Sequence, residues 1–135
     1  MPFHYELIPN PNPRIFIYFT LNFRSMVTLE ELLNIGGVAA AGEFTPDGKL
    51  VDYKERMNMS KEMVEMSAQF CATVSMMFNT LAGAFTQLTK TQWIPQKIWT
   101  YTGGEWTVII AGGTKGVFAE TAKTDINQVI KALMS

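Results

Sequence analysis

Few residues of this chain have the type and spacing that chemistry requires. The single cysteine, Cys71, sits between Phe70 and Ala72 in a long helical pattern. A thiol attacks as its thiolate and needs a base or a cationic neighbour to become one. The single histidine, His4, lies far away in a leading segment, so Cys71 is expected to be a small buried apolar residue. Glu43 and Asp52 are placed to face each other across a hairpin, and Glu105 and Glu120 lie elsewhere in the sheet region. Paired carboxylates perform acid–base work only where a pocket separates their pKa values, and surface solvation is the expectation here. Gly112-Gly113-Thr114-Lys115-Gly116 invites a phosphate reading, but a phosphate loop needs G-x-x-x-x-G-K-[ST] leading into a helix N-terminus. A strand follows instead, so a hairpin turn is expected. No His, Cys, Asp or Glu cluster has metal-ligand spacing. The chain is therefore expected to be no enzyme and to hold no cofactor.

Composition agrees with that exclusion. The 135 residues suit one domain with a single core, and 47% apolar against 17% charged residues makes the chain globular. Formal net charge is -1, with Lys and Arg scattered rather than gathered in a stripe. Neither nucleic acid nor an acidic membrane is an expected partner. One cysteine excludes an internal disulfide, and a reducing cytoplasm is the simplest setting.

Residues 1–25 differ from the remainder. A Pro/Asn tract, Pro9-Asn10-Pro11-Asn12-Pro13, precedes an aromatic run from Ile15 to Phe23 that is too short to span a bilayer. Two readings stand: an upstream extension ahead of a natural start at Met26, or an added edge strand or arm. The domain proper is expected over residues 26–135.

From Met26 the elements declare themselves. Thr28 and Glu31 form a capping box, Val27 and Leu32 a hydrophobic staple, and Leu29, Leu32 and Leu33 a buried stripe ended by Gly36-Gly37. Strands are expected over 38–45 and 49–53, joined by the Thr45-Pro46-Asp47-Gly48 turn. On the second, Leu50 and Asp52 should face one way, Val51 and Tyr53 the other. Ser60 caps a helix reaching Thr89. Strands over 97–102, 105–111 and 117–120 follow, the first two joined at Gly103-Gly104. Asp125 starts a last helix lined by Ile126, Val129, Ile130 and Leu133. The order α-β-β-α-β-β-β-α predicts an α/β (α+β) three-layer sandwich around a five-stranded antiparallel sheet.

The long helix carries Met63, Met66, Phe70, Val74, Met77, Leu81, Phe85 and Leu88 at three- and four-residue steps. Cys71, Phe78 and Ala82 widen this stripe beyond one face, so two faces should be covered. In one small domain, little but a second copy is left to cover the outer one. The methionines admit three readings: dimer seam, core, or an adaptable partner groove. Trp93, Trp99, Tyr101 and Trp106 either cover the sheet or line a pocket for a small ligand or partner.

Leu29 through Val38 (LEELLNIGGV), with the Asp47-Gly48 hairpin and the long central helix, resembles the Roadblock/LC7 (profilin-like) fold. A closer resemblance is to DUF2173, carried by Gly42-Glu43-Phe44, Phe70-Cys71-Ala72-Thr73, Phe78-Asn79-Thr80-Leu81-Ala82-Gly83 and Gly116-Val117-Phe118. It covers essentially all of residues 26–135. The resemblance implies a homodimer formed through the central helix and the next strand, which adds Ile98 and Thr100 to the helix stripe as interface residues. It also implies a non-catalytic regulatory or scaffolding role toward a protein partner such as a small GTPase or another NTPase. The alternative is a ligand sensor or carrier built on the aromatic cluster, linked to sulfur metabolism through the gene sets of some relatives.

Overall fold

The computed structural model describes residues 25–135. The leading segment, with His4 and the aromatic run, lies outside the described residues apart from Ser25. The order is α1 (Leu29–Leu33), β1 (Val38–Phe44), β2 (Leu50–Glu55), α2 (Lys61–Thr89), β3 (Ile98–Gly103), β4 (Trp106–Ala111), β5 (Lys115–Glu120) and α3 (Ile126–Leu133), with a short 3-10 turn before α3. The five strands pair antiparallel in the order β2-β1-β5-β4-β3.

Local chemistry explains the boundaries. Thr28 Oγ1 accepts from the Glu31 amide at 3.1 Å, and Glu31 Oε1 accepts from the Thr28 amide at 2.9 Å, completing the capping box. The Thr28 amide and the Thr28 hydroxyl both donate to the Glu31 carboxylate and hold it below its usual range. Ser60 caps α2 through the Met63 amide, and Asp125 caps α3 through the Gln128 amide. After α1 the chain reverses at Gly37, whose φ is 90° and whose missing Cβ would fall 2.0 Å from Thr124 Oγ1. The neighbouring Gly36 has open space around it.

The sheet separates two unequal layers. On one face α1 and α3 bury Leu32, Ile109, Val129 and Leu133 completely, with Val38, Val117 and Ala119 beside them. Fully burying a Val, Leu or Ile side chain stabilises by roughly 1.5–3 kcal/mol, so this layer holds most of the core. The other face carries α2 on a thinner set: Phe44, Ala68, Ala72 and Ile110.

Two details depart from expectation. Glu43 does lie opposite Asp52, but Phe44 pairs with Leu50, leaving Val51 as the extra residue of a β-bulge. Leu50 and Tyr53 therefore both face α2, contrary to strict alternation. Lys115, expected within the hairpin turn, instead opens β5 and is buried. Its Nζ donates to the carbonyls of Ser25 (2.9 Å) and Val27 (2.6 Å), while the Met26 amide donates to Ser135 O at 3.3 Å. The buried cation ties the start of the domain to the sheet.

Candidate interaction surface

α2 has two stripes with opposite fates. Ala68, Ala72, Ser75, Asn79 and Ala82 recur at heptad spacing and are its buried residues. At about 100° of turn per residue they form one narrow line facing the sheet. Met63, Met66, Phe70, Met77, Leu81 and Leu88 fall on the opposite side. There Phe70 is 65%, Met77 66%, Leu81 43% and Leu88 79% exposed.

The helix is thus seated through its small residues and presents its large ones outward. Close approach explains the choice. A Cβ on Gly48, at the β1–β2 hairpin tip, would lie 3.0 Å from Gln69 Cα, and one on Gly113 would lie 3.3 Å from Ser75 Cβ. Only short side chains fit where these two loops meet the helix. Ser75 satisfies its own hydroxyl there, donating to Cys71 O and accepting from Trp99 Nε1, both at 2.8 Å.

No charged residue occurs in the helix between Glu65 and its end at Thr89. A solvent-facing helix face is ordinarily charged or polar, and a contiguous outward line of Met, Phe and Leu marks an interaction surface. The expected seam residues on α2 divide accordingly. Met63, Met66, Phe70, Met77 and Leu81 are exposed, Val74 and Phe85 half-buried. Met76, Phe78 and Leu88 extend the exposed surface; the uncharged run was the signal for them. β3 is an outer strand of the sheet, and Thr100 to Gly103 are exposed along it. Among the described residues its outer edge carries no further strand and can accept one. Ile98 packs against the α1/α3 core, away from the α2 surface.

The four aromatics engage separately. Trp93 tilts against Phe85 (4.8 Å between centroids), Trp99 against Phe78 (6.1 Å) and Trp106 against Phe118 (5.1 Å). Tyr101 is exposed on β3. A cavity of about 220 Å³ does open between α2 and the sheet, but Phe44, Tyr53, Phe70 and Phe118 supply its aromatic walls.

Cys71 and the glycine-rich loop have settings that explain them structurally. Burial pushes the Cys71 thiol up to about 11, which leaves it protonated and unreactive at neutral pH. The Gly112 and Gly113 φ angles of 63° and 71° and the Thr114 N–H to Ala111 O bond (3.2 Å) make the glycine-rich loop a tight reversal of the primed type. Among the described residues, no group of three or more His, Cys, Asp or Glu is placed to hold a metal ion. No helix among them is long and apolar enough to cross a membrane.

The family model described as "Uncharacterized conserved protein (DUF2173)" matches residues 28–135. No curated protein matches the sequence. Solved structures share the fold at low identity. The Roadblock/LC7 domain from Streptomyces avermitilis aligns with TM-score 0.59 and 10% identity over 78% of this chain and 84% of that one. MglB in a tetrameric arrangement aligns with TM-score 0.63 and 13% identity over 96% and 88%. The gliding protein MglB from Thermus thermophilus gives TM-score 0.58 and 13% identity over 97% and 95%. The expected Roadblock/LC7 sandwich is the fold observed.

Proposed function

The chain belongs to the DUF2173 family, and from that premise we propose that it is a non-catalytic dimeric module that regulates or scaffolds a protein partner. The observation that carries this reading is the double-striped helix. α2 is already seated on its own sheet through small residues, so its outward Met, Phe and Leu side chains are free to meet a second copy. The β3 edge runs on from that surface and supplies backbone groups for joining two sheets. Met63, Met66, Phe70, Val74, Met77, Leu81 and Phe85 form the seam, with Ile98 and Thr100 entering through the β3 backbone.

The further partner is an NTPase of the small-GTPase kind. Its support is the Roadblock/LC7 fold and the resemblance drawn from Leu29 to Val38. The protein acts in the cytoplasm. Sedimentation velocity at micromolar concentration is expected to give a dimer, and a strict monomer would overturn the dimeric part. For the partner, nucleotide hydrolysis by a captured NTPase should change on adding the wild-type chain and not on adding a seam-disrupted variant. Equal effects from both would remove the link between seam and regulation.

A further inference from the structure

The cavity beneath the N-terminal half of α2 shares Met66 and Phe70 with the outward seam, but β1 and β5 supply its floor, whose composition is unusual. Gly42 of β1 and Gly116 of β5 are direct partners in the register, both lining the cavity, with Ala40 beside them. Gly116 is required by packing, because a Cβ there would lie 2.7 Å from Ile109 O and 2.2 Å from Ile110 Cδ1. Gly42 is different. A Cβ at Gly42 would meet only Asp52 O at 3.7 Å and Tyr53 Cβ at 3.8 Å, ordinary contact distances. Its φ lies outside the left-handed region. Neither backbone conformation nor crowding demands glycine at this position, although glycine weakens a strand interior. What glycine does preserve is empty space on the face toward α2. Glycine in a strand marks a bulge or a place where a ligand or another backbone approaches closely; the β1–β2 bulge falls beyond Glu43, and Gly42 itself stays in register with Tyr53 and Gly116.

The rest of the cavity defines what would fit. Phe44, Tyr53, Phe70 and Phe118 wall it, and Cys71 and Met66 reach it from the helix. None of its lining residues carries a charge at neutral pH, since Cys71 is held protonated. The Ser67 hydroxyl is already committed to Met63 O at 2.8 Å. Beyond the Tyr53 phenol, the lining offers a charged or strongly polar ligand nothing to replace its hydration. The volume of about 220 Å³ exceeds the roughly 150 Å³ of an apolar cavity known to bind benzene. We infer that this cavity is a binding site for a small, uncharged, planar aromatic molecule of one or two rings, lying on the bare Gly42–Gly116 backbone.

Naphthalene titrated into the ¹⁵N-labelled full chain tests this. The expected result is one saturable site per chain, with amide shifts centred on Gly42, Gly116 and Cys71. Gly42→Val, which fills the floor, should weaken binding at least about tenfold, equivalent to about 1.4 kcal/mol. Cys71→Leu fills the same space from the helix side and gives the same readout should Gly42→Val fail to fold. Met77→Asp, on the outward face and outside the cavity lining, should leave the affinity of the monomer unchanged. Absence of a saturable site would overturn the inference, as would shifts confined to the outward face near Met77 and Leu81, or undiminished affinity in a folded cavity-filling variant. Binding to Met77→Asp but not to the wild-type chain would overturn it too, because a second copy would then be the occupant.

Discussion

Met77→Asp offers the sharpest test of the outward seam. Met77 is 66% exposed in the protomer, and fully burying a methionine side chain stabilises by roughly 1.5–3 kcal/mol. About two-thirds of that, ~1–2 kcal/mol, remains to be gained when a second copy covers it. A two-fold interface contains the residue twice, so removing the side chain should cost ~2–4 kcal/mol per dimer. At about 1.4 kcal/mol per factor of ten, the dissociation constant should rise roughly 30- to 1,000-fold. Aspartate also buries a carboxylate from each copy, which makes these figures a lower bound. Sedimentation velocity across a micromolar dilution series reads the effect directly. The monomer's far-UV circular dichroism should not change, because Met77 lies on the face opposite the core. A variant that associates as tightly as the wild type would refute the seam, and so would a wild type that is monomeric throughout the series.

Three further outcomes follow from the packing. Lys115→Met removes a charged donor from two carbonyls and should lower stability by about 2 kcal/mol in chemical denaturation, with faster hydrogen exchange at the Met26 amide. Gly37→Ala places a methyl 2.0 Å from Thr124 Oγ1 at φ 90° and should cost more than about 2 kcal/mol, whereas thermal melting of Gly36→Ala should match the wild type. Cys71, raised from its ordinary 9.0 to about 11, should react with iodoacetamide at pH 8 roughly 100-fold more slowly in the folded than in the unfolded chain. Because the folded value is the higher one, the stability linked to this thiol is intact below pH 9.0 and lost as pH rises toward 11. Cys71→Ala should therefore show a shallower alkaline loss of stability.

Much of the architecture was legible because its signals are local. Thr28 with Glu31, Ser60 and Asp125 each cap the helix they precede, using bonds that span three residues. Thr45-Pro46-Asp47-Gly48 closes its turn through the Gly48 N–H to Thr45 O bond at 2.8 Å. Such contacts need nothing beyond neighbouring residues, so element order and the sandwich followed from them. The candidate surface was legible in outline for a related reason: a helix uncharged from Met66 to Thr89 cannot leave every face to solvent without exposing apolar area.

Which face of α2 turns inward belongs to the tertiary structure alone. Side-chain hydrophobicity ranks Met66, Phe70 and Leu81 above Ala72, Ser75 and Asn79, yet the smaller residues are the buried ones. The reason lies far away in sequence, at Gly48 and Gly113, where the sheet's loops approach the helix too closely for larger groups. Asp52 and Tyr53 took their faces from a bulge at Val51 that no alternation pattern announces. Likewise Lys115 gained its buried role only when the segment from Ser25 to Val27 came across the sheet to accept its protons. Residue types and short spacings determined the elements; long-range approach of backbone to backbone decided which apolar side chains were left facing outward.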